Sequence, residues 1–126
     1  MMAEGEGDRE KASGLFTQAW NEAQSDFEKA VAAHYVARHQ HNLSEQLRWN
    51  ELALEHALRS DDKAATAMLP SLYLNVGKNH EDFNNFAEAR RHYEAGLQHA
   101  SHLPDDGYSQ LVLRGIHNGL GRIRTV

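Results

Sequence analysis

Nine histidines in 126 residues are the side chains here with the widest chemical range, because imidazole binds transition metals, moves protons and changes charge near neutral pH. Spacing decides what they can do together. His34, His39 and His41 are close along the chain, but five residues on a helix turn two side chains about 140° apart, so His34 and His39 point to different faces. His92 and His99, seven apart, share a face, and His102 is within reach of His99. Two imidazoles hold zinc or nickel only weakly, and no cysteine or well-placed carboxylate completes a tetrahedral set beside them. The histidines therefore read as core positions and a solvated face, with no metal site and no cofactor assigned; a histidine-dependent metal sensor or enzyme is the lesser alternative. Protonating all nine would move the formal charge from −5 to about +4, which predicts pH-sensitive association.

Other chemistry is excluded more simply. The chain has no cysteine, which removes disulfides, thiolate metal sites and a cysteine nucleophile. No serine-nucleophile motif is present, and no strand precedes a glycine-rich phosphate loop; Gly115, Gly119 and Gly121 read as close-packing or fraying positions within a helix. No catalytic residue is assigned. A formal charge of −5 and a pI near 6.0 speak against a nucleic-acid partner, since phosphate binding needs a dense basic patch. The opening "MMAEGEGDREKAS" is polar and acidic with no apolar run behind it, so a cytoplasmic protein with no membrane segment is expected.

Two prolines, scattered glycines and no lasting strand-like alternation predict an all-α chain of five or six helices. Residues 1–9 read as a disordered tail and 10–126 as one helical domain. The first helix is expected over about Glu10 to Ala23, with Leu15, Phe16, Ala19 and Trp20 on one stripe. Ser25 or Asp26 caps a second, running to about His39. Ser44 is the expected N-cap of a third, which ends near Ser60. Pro70 lies inside the fourth pattern, Asp62 to Phe83, and either kinks one long helix or starts a new one. Asn84 and Asn85 cap a fifth, expected to reach about Ser101, and the last runs from about Gly107 to Arg124.

The helices also echo one another. With Leu43 placed under Phe86, "LSEQLRWNELALEHA" lies under "FAEARRHYEAGLQHA" with six of fifteen positions identical, the sign of a helical hairpin that buries its apolar face by stacking on a copy of itself. An antiparallel pair joined by a tight turn needs small residues where it crosses and aromatics around that point. Gly77, Ala89 and Gly96 supply the small sites; Tyr73, Phe86 and Tyr93 supply the wedges. Trp49, one residue before the equivalent of Tyr93, packs against the preceding helices or stays partly exposed.

Tyr73, Val76-Gly77, Phe86, Ala89, Tyr93 and Gly96 match in order and spacing the signature of the tetratricopeptide repeat, which the chain resembles from Pro70 to about Leu103. It departs at His80, where the family has a tyrosine-like residue, and at Asn84, where a turn glycine is common. The hairpin over 27–60 is a degenerate copy, with His34, Gln46 and Ala53 at the small sites, and "QLVLRGIHNGL" echoes "SLYLNVGKNHE" as a final capping helix. Strings such as "AAHYVARHQ", "LRWNELALEHA" and "PSLYLNVG" are also similar to those of short bacterial tetratricopeptide-like proteins of unassigned role.

The resemblance implies a short right-handed solenoid of hairpins over about 27–60 and 64–103, closed by a helix over about 107–124. It further implies a non-catalytic protein- or peptide-binding module with a concave groove lined by the first helix of each pair. On this chain that groove takes Tyr35, Arg38 and His39, then Ser71, Leu74, Asn75, Lys78 and Asp82, then His117. Arg38, Asn75 and Lys78 would hold a carboxylate, unless Lys78 and Asp82 simply pair with each other four residues apart. A scaffold that self-associates as a homodimer through its exposed end faces is the alternative.

Overall fold

The structure is a computed structural model and describes residues 6–124, with side chains described from Glu10 onward except that of His102. Among the described residues there are six α-helices, one 3-10 turn and no strand. They fall into two compact units, one ending at Ser60 and one beginning at Asp61.

The first unit holds α1 (Glu6–Glu22), α2 (Asp26–Arg38) and α3 (Leu43–Arg59). The first helix begins four residues before the expected Glu10, so residues 6–9 of the expected tail are helical, and 1–5 lie outside the described residues. Ser25 caps α2, its hydroxyl accepting from the Glu28 N–H at 3.1 Å. The N-cap of α3 is Asn42 and not Ser44: Asn42 is extended, and its side-chain oxygen accepts from the Glu45 N–H at 2.8 Å, which leaves Ser44 inside the first turn. Buried faces of Ala30, Ala33, Val36 and Ala37 on α2 and of Ala53, Leu54 and Ala57 on α3 are built almost wholly from small side chains, so the two helices can approach closely. Asp26 and His56 close the pair at 2.7 Å. Trp49 is half-buried, its ring edge-on to Trp20 of α1 at 5.3 Å.

The second unit holds α4 (Lys63–Asp82), α5 (Phe86–His99), a 3-10 turn (Ala100–His102) and α6 (Gly107–Ile123). Asp62 caps α4 through the Ala64 N–H, and Asp106 caps α6 through the Ser109 N–H. Pro70 does not start a helix; α4 runs through it as one element with Pro70 buried. A mid-helix proline costs about 3 kcal/mol, and the burial of Leu69, Leu72 and Val76 around it offsets that cost. The turn into α5 is a Schellman motif. Asn84 takes φ 63°, its N–H donates to the Glu81 carbonyl, and the Asn85 N–H donates to the His80 carbonyl at 2.8 Å. Asparagine tolerates this left-handed state, as glycine would.

Tyr93 is the centre of the second unit's core, with Ala89, Val112, Ile116 and Ile123 buried around it and Leu74, Phe86, Leu97 and Leu120 packed outside. Its ring lies between Gly77 of α4 and Gly119 of α6. A Cβ at Gly77 would stand 2.7 Å from the ring, and one at Gly119 would be closer still to its tip. Gly96 meets Ile116 and Tyr73 in the same way. The last helix thus supplies its own small site for a wedge carried by α5.

Gly14 of α1 has no such neighbour: a Cβ there would meet nothing within 4 Å. Gly14→Ala should therefore stabilise the protein by about 0.5–1 kcal/mol, the ordinary helix-interior difference between the two residues. The readout is a higher urea midpoint at an unchanged m-value.

Candidate functional site

Three of the nine residues assigned to a binding face lie together in the first unit. Tyr35 stacks on Phe16 of α1 at 4.9 Å, Arg38 reaches over the Tyr35 ring at 5.8 Å, and the His39 ring bonds through Nδ1 to the Tyr35 carbonyl at 2.9 Å. That carbonyl can only accept, so His39 Nδ1 carries the proton. Tyr35 and Phe16 also line an open, largely apolar cleft of about 540 Å³ between α1 and α2. His34, beside them, is held neutral: burial lowers its pKa first, and the Arg38 charge lowers it further. Protonating His34 as part of the expected nine-proton swing is therefore opposed by its surroundings.

The other six lie in the second unit. Ser71, Asn75, Lys78 and Asp82 form a row along the open side of α4, at the three- and four-residue steps that keep side chains on one face. Lys78 and Asp82 do pair, at 2.5 Å. Ser71 turns its hydroxyl back to the Met68 carbonyl. Leu74 sits at the edge of the row and is half-buried, with its Cδ2 2.9 Å from the Cβ position of Gly115 on α6. His117 is exposed, two residues from Gly115, and so turned about 160° away from the α4 contact.

A second tie joins the same two helices. Glu81 accepts from Arg122 at 2.7 and 3.0 Å and from the Tyr93 hydroxyl at 2.7 Å. The Arg122 bond is the main reason that the Glu81 pKa is lowered. Burial first, and then the carboxylate, push the Tyr93 hydroxyl well above its usual range, which keeps it a neutral donor. Leu74 to Glu81 is seven residues along α4, and Gly115 to Arg122 is seven along α6. The two helices therefore run parallel and side by side, with the Tyr93 ring of α5 packed against Gly77 of one and Gly119 of the other. On α6, Leu111 and Asn118 flank Gly115 at the steps of four and three that share its face, and Leu111 is 62% exposed.

A further cluster spans the turn between α4 and α5. One donor atom each from His80, Glu88 and His92 lies within 4.8 Å of the other two. The rings of His80 and His92 stack at 5.2 Å and are buried, 9% and 7% exposed. His92 Nδ1 donates to the Glu88 carbonyl at 2.8 Å, which leaves the lone pair on Nε2. The Glu88 carboxylate is part exposed and bonds Arg91 at 2.6 Å, and that bond is the chief reason its pKa is lowered. His99 is not in the cluster; the Tyr73 ring stacks against it at 5.3 Å. His102 cannot be placed with either, its side chain being outside those described.

Comparison with family models, with curated proteins and with solved structures gives no match for this chain. No helix among the described residues is long and apolar enough to cross a membrane.

Sequence spacing finds His92 and His99 on one face but misses the His80 cluster. The usable signal was the four-residue step from Glu88 to His92, together with a histidine just before a tight turn. Leu111 and Asn118 were also missed, because the edge that α6 turns to α4 depends on which of its glycines meets α4, and only the structure picks out Gly115.

Proposed function

We propose that this chain is a non-catalytic binding module of tetratricopeptide type, which takes a segment of a partner protein along the face shared by α4 and α6. The observation that carries this reading is the pair of ties, Leu74 on Gly115 and Glu81 to Arg122, at the same seven-residue step on both helices. Two parallel first helices locked edge to edge, with a second helix behind them, are what a groove wall of that repeat requires. Supporting it, the face has a polar row on α4 and an exposed leucine on α6, a mixture that suits a peptide better than a small ion. Of the residues first assigned, Ser71, Asn75, Lys78 and Asp82 belong to this face; Leu111 and Asn118 join them on α6.

Peptides selected from a display library against the protein provide the test. Lys78→Ala combined with Leu111→Ser should weaken the selected peptides by about fivefold or more, close to 1 kcal/mol, with the melting temperature nearly unchanged. Glu94→Ala with Gln98→Ala, both exposed on the outer side of α5, should leave binding intact. The reverse pattern would place the site elsewhere. A dimer in sedimentation that the peptides dissociate would instead give the face to a second copy of the chain.

A further inference from the structure

The geometry points to a divalent transition-metal site at His80, Glu88 and His92, on a side of the α4–α5 hairpin away from the peptide face. His80 is two residues from Lys78, which turns it about 160° from the row that Lys78 belongs to. The inference does not depend on peptide binding.

Four features of the cluster fit a cation. The donors are two imidazoles and a carboxylate, the set that zinc, nickel and cobalt share in sites that keep a coordination position for water or an added ligand. His92 is already oriented as a ligand: its Nδ1–H is tied to the Glu88 carbonyl at 2.8 Å, the kind of outer bond that fixes tautomer and ring direction in metal-bound histidines. The turn that brings His80 to the start of α5 is rigid, because the His80 carbonyl is itself the acceptor for Asn85. Access is also provided, since both rings are buried while the Glu88 side chain is 39% exposed and faces solvent.

The spacing sets the movement required. Donor atoms around a tetrahedral ion with bonds near 2.1 Å stand about 3.4 Å apart, against the 4.8 Å that bounds this cluster. Both Glu88 oxygens are engaged by Arg91, at 3.2 and 2.6 Å, so a metal that takes one of them must draw Glu88, the one member on the surface, away from Arg91. Arg91 and the metal therefore compete for one carboxylate. A core of stacked, hydrogen-bonded histidines with no metal role has no such competition, and this separates the two readings.

Zinc titration of the untagged chain by calorimetry, repeated with cobalt followed by visible absorption, decides between them. One equivalent of zinc should bind and raise the melting temperature with concentration. Glu88→Gln, a change at a half-exposed position, should weaken binding at least about tenfold, and His92→Gln should do the same if its circular dichroism is native. Arg91→Ala should tighten binding by up to about fivefold, because an exposed ion pair no longer holds the carboxylate. His117→Gln should change nothing. Unchanged affinity in Glu88→Gln, weaker binding in Arg91→Ala, or loss of the equivalent in His117→Gln would each overturn the site, as would the absence of zinc binding by the parent chain.

Discussion

Tyr93→Ala should cost about 3–5 kcal/mol, the usual range for removing a large aromatic from a closed core. Tyr93 is 0% exposed, and its ring occupies the space that Gly77 and Gly119 leave by having no side chain. Neither glycine can fill the cavity, since neither has a side chain to turn into it. The graded series is more telling than the single deletion. Tyr93→Phe keeps the ring and loses a hydrogen bond to a charged acceptor, so it should cost about 1.5–3 kcal/mol. Gly119→Ala inserts a methyl group against the ring at less than contact distance, and should cost about 1–3 kcal/mol through overpacking. Urea unfolding at neutral pH measures all three. A loss below about 1.5 kcal/mol for the alanine variant would mean that the core collapses around the gap, and the account of α6 as gripping this ring would fail.

Glu81→Ala should be the next most damaging change, at about 2–3 kcal/mol, because a largely buried carboxylate serves two donors. The two halves of the bond set differ. Arg122 is 46% exposed, so its share is screened by water and salt, and most of the loss comes from the buried Tyr93 hydroxyl left without its acceptor. The same carboxylate gives a pH dependence with a definite sign. Its pKa is lower in the folded protein than in the unfolded chain, chiefly through the Arg122 bond. The stabilisation is therefore fully present above the ordinary carboxylate value of about 4.3 and is lost as pH falls through the lower folded value. Glu81→Gln should consequently differ most from the parent at pH 7 and converge on it in acid. Urea midpoints at pH 7 and about pH 3 test this, and a gap that widens in acid would show that the carboxylate is not held in its charged form.

Local chemistry made much of the fold readable. Helix ends are set by side chains within a few residues of the backbone groups they satisfy, so Ser25 is visible as a cap from its position in the chain, and the starts expected near Asp62 and Gly107 fall at or beside the aspartates that cap α4 and α6. At α3 the expected cap, Ser44, gives way to Asn42, because the incoming chain leaves Asn42 extended, and sequence had no means to decide that. Pro70 shows the opposite limit. Its local cost argues for a break, yet α4 continues because buried neighbours on both sides outweigh that cost. The glycines divide likewise: all look alike in the chain, but Gly77, Gly96, Gly115 and Gly119 meet side chains from other helices, whereas Gly14, Gly107 and Gly121 meet nothing.

The sequence by itself determined an all-helical chain, most of its helix limits, the left-handed turn at Asn84 and the pairing of small residues with aromatics between α4 and α5. Each of these rests on interactions within one helix or across one short turn, where separation along the chain is a good guide to separation in space. Only the tertiary structure decided that Tyr93 sits against Gly119, that Glu81 reaches Arg122 forty-one residues away, that Leu74 is taken up in holding α6, and that His80 meets Glu88 and His92. Those contacts depend on how far each helix is rotated about its own axis when it docks. That angle is set by the packing of whole faces, and no spacing within a single helix contains it.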